Sequence, residues 1–261
     1  MMCFGQVADA YEEGRLGYPE RLVDDVLDYA GPGCRNAVEV GAGTGKASVQ
    51  FAARGLELLC LEPDPRMAAT LTGRCRSYPG VRVHVARFED WSPSLGYDLL
   101  VSAQAWHWVD PRMRWDGARA ALGRGGTLAL FWHYYSVAEP RLRDALRRVN
   151  ARSGLRELNQ MTLADLPPVP DEDPEAEPWI ELRADDRFAD QQTRRYHAEH
   201  VFTSRRYCQL ISSLSTFRLA QRDQREGLLD AIGEVIAGHG GQIELTLVTD
   251  LLLARNAVGP G

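Results

Sequence analysis

The sequence predicts an α/β protein whose parallel sheet is covered on both faces by helices. Three observations predict it. From residue 36 to residue 133, short apolar runs alternate with helix-like segments. Several of those runs are continuously apolar, as strands buried on both faces are. The stretch "VEVGAGTGKAS" (38–48) then sets three glycines at alternate positions between the first run and the next helix. That is the carboxyl end of a strand, where open α/β sheets bind ligands.

Taken in order, "RLVDDVLDYA" (21–30) spaces its apolar residues as a helix does and stops at "GPG". "NAVEV" (36–40) is a short strand, "KASVQFAAR" (46–54) a helix ended by Gly55, "LELLCLEP" (56–63) a strand and "PRMAATLTGRC" (65–75) a helix. "VRVHVARF" (81–88) and "YDLLVSAQ" (97–104) read as strands, "PRMRWDGARAAL" (111–122) as a helix before the turn "GRGG", and "TLALFWH" (127–133) as the fifth strand. Beyond residue 138 the alternation stops. "RLRDALRRVNARSGL" (141–155) looks helical, and "LPPVPDEDPEAEPW" (166–179) is a proline-rich acidic loop or lid. The helix "REGLLDAIGEVIAG", a "GHGG" turn and the apolar strand "IELTLVTDLLLA" (243–254) close the chain.

The bulk numbers set limits. A 44% apolar and 25% charged composition is that of an ordinary soluble globule, and the net charge of −6 argues against a sequence-independent grip on nucleic acid. No run approaches the roughly 18 apolar residues of a membrane span, so no membrane partner is expected. The five cysteines, Cys3, Cys34, Cys60, Cys75 and Cys208, form no CxxC pair and no zinc spacing with histidine. Free thiols, a reducing compartment and hence the cytoplasm are the expectation, with no metal site.

Three ligand classes use glycine loops of this kind. The nucleotide-triphosphate loop G-x-x-x-x-G-K-[ST] fails twice, with Val40 where its first glycine belongs and Ala47 where its hydroxyl belongs. The dinucleotide fingerprint G-x-G-x-x-G fits at Gly41 and Gly43, but Lys46 takes the place of its last glycine, which weakens an NAD(P)-dependent oxidoreductase without excluding it. What remains is G-x-G-x-G with Glu39 two residues ahead, a loop whose bare backbone approaches a ribose and a methionine moiety as in S-adenosylmethionine. Glu62 ends the second strand, and its two oxygens suit two ribose hydroxyls in either cofactor. In "ARFEDW" (86–91), Phe88 covers an adenine ring and Glu89 or Asp90 accepts from its amine, or the stretch is a plain strand end.

Together "AVEVGAGTGKAS", "CLEPDPRM", "ARFEDW", "DLLVSAQAWHWVDP" and "GGTLALFW", in that order and spacing, resemble the class I S-adenosylmethionine-dependent methyltransferases. The resemblance is to the small-molecule branch that includes trans-aconitate-methyltransferase-like enzymes, and covers nearly the whole chain. It implies a Rossmann-like, seven-stranded, mostly parallel sheet with the last strand inserted beside the fifth, and a small cap. The implied divisions are an N-terminal helical lid (1–35), a cofactor-binding core (36–138), a cap over the substrate pocket (139–205), and C-terminal helices with the final strand (206–261). The implied cofactor residues are Glu39, Gly41, Gly43, Glu62, Phe88, Glu89 and Gln104, with Tyr11 and Arg15 closing over the methionine end. No metal is implied.

On that reading the reaction is in-line methyl transfer to an O or N atom of a small organic acceptor. A general base helps where the nucleophile carries a proton. His107 after the fourth strand, and His133 and Tyr134 after the fifth, are the candidates, each equally readable as aromatic packing. His197 and His200 read as surface or satisfied residues. The stretch "SAQA" replaces the [DN]-P-P-[YFW] motif of base-amine methylation, so no nucleic acid is expected. A non-catalytic binding protein on the same fold is a further alternative, and monomer and homodimer fit equally.

Overall fold

The computed structural model describes residues 16–94, 96–166 and 179–257. Helix α1 (Glu20–Ala30) precedes strand β1 (Asn36–Val40). Then follow α2 (Lys46–Ala52), β2 (Glu57–Leu61), α3 (Pro65–Arg74), β3 (Val81–His84), β4 (Tyr97–Ala103), α4 (Arg114–Ala121) and β5 (Leu122–Val137). Short 3-10 turns at Phe88–Asp90 and Trp106–Trp108 follow β3 and β4. The second half contains α5 (Pro140–Arg152), α6 (Leu158–Thr162), α7 (Trp179–Arg183), β6 (Phe188–Thr203), α8 (Ser204–Ser212), α9 (Ser215–Leu219), α10 (Arg222–Gly238) and β7 (Gln242–Asn256).

The seven strands of the described residues form one sheet in the order β3-β2-β1-β4-β5-β7-β6. Strands β1 to β5 pair in parallel, and β7 lies antiparallel between β5 and β6. This is the expected mostly parallel sheet with the last strand beside the fifth. The strand order reverses between β1 and β4, which places a ligand crevice at the carboxyl ends of those two strands.

Local chemistry starts and stops the elements that frame this crevice. Pro65 opens α3 behind Asp64, whose side chain accepts the Arg66 amide at 2.9 Å. Gly45, left-handed at φ 89°, turns the chain from the loop into α2. Strands β1 and β2 are buried on both faces. One face carries α1, α2 and α3 through Leu22, Val26, Phe51 and Leu71; the other is an aromatic core with Phe88, Trp106, Trp115 and Trp132.

Several expectations need correction. The third strand ends at His84, and Phe88 lies in the following turn. Helix α4 begins at Arg114, after a turn in which Asp110 accepts the Arg112 amide at 2.9 Å. Residues 20–30, expected within a lid, are a core helix: the apolar stripe Leu22, Val23 and Val26 is fully buried on the sheet. Residues 188–203, expected within a cap, are the edge strand β6. The helices of 140–162 and 204–238 share one apolar cluster with the far ends of β5 and β7, so the expected division at residue 205 cuts through a single helical layer. Among the described residues no helix is long and apolar enough to cross a membrane.

Candidate cofactor and acceptor site

The glycine loop sits where β1 and β2 end together. The amides of Gly41 and Ala42 both donate to the Leu61 carbonyl, at 2.9 and 3.1 Å. Gly41, Gly43 and Gly45 all have positive φ, at 70°, 59° and 89°. A Cβ on Gly41 would lie 2.4 Å from the Ala105 Cβ, and one on Gly45 would lie 2.5 Å from a Leu71 methyl. Gly41 and Gly45 are therefore required by backbone and packing together. At Gly43 the nearest atom to such a Cβ is the Met67 methyl at 3.7 Å, so only its backbone conformation demands glycine from within the protein.

Glu62, 5% exposed, is fastened from both sides. Its Oε2 accepts the Gly43 amide and its Oε1 the Asp64 amide, both at 2.8 Å. Burial raises its pKa; the two amide bonds act against that shift without cancelling it. Each carboxylate oxygen has lone pairs beyond the single amide it accepts, so the group can still take two hydroxyl donors. That is the donor set of a ribose.

Glu39 sits beneath the loop rather than in its mouth. Its carboxylate is 1% exposed, accepts Ser48 Oγ at 2.6 Å and is pushed up to about 8 by burial, against the pull of Ser48 and with the push of the Glu62 charge. It borders a hollow of about 10 Å³ with Tyr18, Gly41 and Lys46. Gln104, the residue after β4, is also left-handed at φ 60°; its amide donates to the Phe131 carbonyl at 2.9 Å and its side chain to the His133 carbonyl at 3.4 Å. A non-glycine residue held there stores strain, a feature that clusters at ligand sites. The turn it makes brings Ala105 under Gly41.

Phe88 and Glu89 lie together after β3 but do different work. The Phe88 ring packs against Trp106 (centroids 5.6 Å apart) and Trp91 (6.1 Å) and closes over Gly117, where a Cβ would come within 2.8 Å of it. Phe88 is 7% exposed and belongs to the aromatic core. Glu89 accepts the Asp110 amide at 2.8 Å and Arg87 at 3.1 Å. Burial raises its pKa, but those hydrogen bonds outweigh it and hold the carboxyl below its usual range.

The acceptor-side candidates divide between the two faces of the sheet. On one, His107 is exposed and its Nδ1 accepts from Trp132 Nε1 at 3.3 Å, with the half-buried Tyr134 packed on the same core. On the other, His133 is buried, pairs its Nδ1 with Thr249 Oγ1 at 2.8 Å and stacks on Tyr18 at 4.4 Å. His107 and His133 are thus not brought together. His197 and His200 fall on β6. Tyr11 and Arg15 lie outside the described residues.

The structure adds residues that the sequence reading missed. Gly45 is the third glycine of the quoted loop and had a visible signal. Tyr18 borders the hollow, packs edge-on against Phe131 at 4.7 Å, and has its carbonyl held by Gln50 at 2.8 Å. Trp132 had no signal beyond its place in the fifth strand. Among the described residues no group of three or more His, Cys, Asp or Glu is placed to hold a metal ion.

Residues 37–126 match a family model described as a methyltransferase domain. An uncharacterised methyltransferase of Mycobacterium tuberculosis is 28% identical over 241 residues, covering 91% of this chain and 87% of that one. Among solved structures, a protein of Anaeromyxobacter dehalogenans assigned as a type II methyltransferase aligns with TM-score 0.64 and 18% identity, over 93% of this chain and 98% of its own. Phosphoethanolamine N-methyltransferase 2 of Haemonchus contortus, in complex with S-adenosyl-L-methionine, aligns with TM-score 0.55 and 14% identity, over 99% of this chain and 61% of its own. At these identities the two solved structures speak to the fold.

Proposed function

We propose that the chain is a class I S-adenosylmethionine-dependent methyltransferase, which methylates an O or N atom of a small organic acceptor at the carboxyl ends of β1, β4 and β5. The observation that carries the site is Glu62, whose carboxylate is fixed by the Gly43 and Asp64 amides at the crest of the glycine loop. When bound, the cofactor supplies an electrophilic sulfonium methyl group. Glu62 holds its ribose hydroxyls, and the bare backbone of Gly41 and Gly43 lets the methionine and ribose lie close to the loop. Glu89 and Gln104 border the adenine and the methionine respectively.

The acceptor faces the turn after β4 and the end of β5. His107 and Tyr134 line it from the aromatic face of the sheet, whereas His133 and Tyr18 lie on the opposite face. The part of the first pair is to orient the nucleophile and exclude water, because a fixed in-line approach supplies most of what this displacement needs. Where the nucleophile carries a proton, an imidazole or phenol of this group takes it. A small acceptor, rather than nucleic acid or a membrane, is supported by the exposed Trp108 ring beside His107 and by the net charge of −6. Either a monomer or a homodimer accommodates this site.

Calorimetric titration with S-adenosylmethionine, S-adenosylhomocysteine and NADH tests the reading. Binding of both sulfur compounds, weakened at least tenfold in Glu62→Ala (about 1.4 kcal/mol), supports it. NADH bound in their place would overturn it. Release of methyl groups to a panel of small acids, alcohols and amines then separates a working enzyme from a binding protein of the same fold.

A further inference from the structure

The hydrogen bond between Trp132 and His107 fixes more than a ring position. An indole nitrogen only donates, so the His107 Nδ1, 3.3 Å away, is the acceptor. An imidazole that accepts through Nδ1 carries its proton on Nε2 when uncharged. The other ring nitrogen is then a donor and has no lone pair with which to abstract a proton.

Trp132 is well placed to impose this. It lies on β5, directly opposite Asp250 of β7, with 7% of its surface exposed. Trp179 packs edge-on against it at 5.3 Å. Helix α7, which carries Trp179, is anchored in turn by Glu181, which accepts from Trp115 Nε1 at 2.6 Å and from Arg114 Nε at 2.9 Å. The indole is therefore a rigid donor, and His107, on the 3-10 turn after β4, is the group that adapts to it.

We propose that Trp132 is a positioning residue that holds His107 as its Nε2–H tautomer, so that His107 serves the acceptor as a hydrogen-bond donor and not as the general base. This rests on the acceptor site proposed above and narrows it. His107 orients an electron-rich oxygen or nitrogen of the acceptor, and proton removal, where the acceptor requires it, falls to Tyr134, on the same face of the sheet. Such a donor steadies an acceptor atom that already carries negative charge or a lone pair.

The test is a two-bond proton–nitrogen correlation spectrum of the histidine rings in the 15N-labelled full chain, with His107 assigned by its disappearance in His107→Gln. The expected spectrum shows Nε2 protonated and Nδ1 at the unprotonated position, and Trp132→Phe converts it to an averaged mixture of tautomers. A protonated Nδ1 in the unmodified chain, or an unchanged pattern in a folded Trp132→Phe, overturns the proposal. Should Trp132→Phe fail to fold, the Trp132 indole N–H resonance decides. It should move upfield in His107→Ala, and a resonance that stays in place overturns the proposal equally. Neither readout uses S-adenosylmethionine, so failure here leaves the titration standing, and failure of the titration leaves the tautomer measurable.

Discussion

The Glu62 carboxylate accepts the Gly43 amide at 2.8 Å, so the end of β2 and the glycine loop are one hydrogen-bonded unit. A residue proposed to hold a ribose is thus also a structural clamp. Replacing it with alanine leaves the Gly43 and Asp64 amides without their acceptor, and an orphaned donor of this kind costs about 1–3 kcal/mol. We expect Glu62→Ala to lose roughly 2 kcal/mol of stability in urea denaturation with an unchanged slope, beside its loss of cofactor affinity. Unchanged stability would mean that the loop is held elsewhere.

The three loop glycines should not respond alike. At Gly43 an alanine Cβ meets nothing nearer than 3.7 Å, so the substitution carries only the left-handed backbone penalty of about 1–2 kcal/mol. At Gly41 the same penalty is joined by a 2.4 Å approach to Ala105. Thermal denaturation should rank Gly41→Ala well below Gly43→Ala. Calorimetry should find Gly43→Ala folded but impaired in binding S-adenosylmethionine, because its methyl group projects where the cofactor backbone must approach. A Gly43→Ala variant that binds normally would remove that residue from the site.

The placement of the glycine loop and Glu62 at the strand ends was legible in the sequence. Glu62 and the glycines could be located because continuous apolar runs mark strands β1 and β2, and the ligand groups follow directly at their ends. The packing of Phe88 was hidden because its partners Trp106 and Gly117 are distant from it in sequence. Strand β6 was hidden for a different reason. "FADQQTRRYHAEHVFT" is polar on an exposed edge, and what makes it a strand is its long antiparallel register with β7. The pairing of Trp132 with His107, across 25 residues, leaves no periodicity at all.

Glu39 offers a prediction about pH. Burial, as the leading cause, pushes its carboxyl up to about 8 in the folded chain from its ordinary value of 4.5. Below 4.5 both states hold the proton and nothing is lost. Between 4.5 and 8 the unfolded chain releases its proton while the folded chain keeps it. Stability therefore falls as pH rises through that window, by up to about 1.4 kcal/mol per pH unit, and levels off above it. Glu39→Gln keeps an acceptor for Ser48 and has no proton to lose. Its melting temperature should match the unmodified chain near pH 4 and exceed it at pH 8. Parallel melting curves for the two across that range would place Glu39 outside the titrating groups.

The pair Asp250 and Arg195 gives the edge strand its most demanding test. Arg195 on β6 sits opposite Asp250 on β7 and donates through Nε at 2.6 Å and Nη2 at 2.7 Å, with Asp250 1% and Arg195 13% exposed. Both charges have left water, so their attraction is largely spent on desolvation, while either one alone is a buried, uncompensated charge. Asp250→Leu should therefore cost about 3–5 kcal/mol. Arg195→Leu by itself should cost a similar amount. The double variant, with two apolar chains facing each other across the sheet, should recover most of the loss, so that a double-mutant cycle in urea returns a large coupling energy. The outcome bears on function because Asp250 also pairs with Trp132 across β5. If the singles cost little, or if the three losses simply add, the pair is solvated enough to be dispensable. The β6 edge would then not be what holds Trp132 against His107.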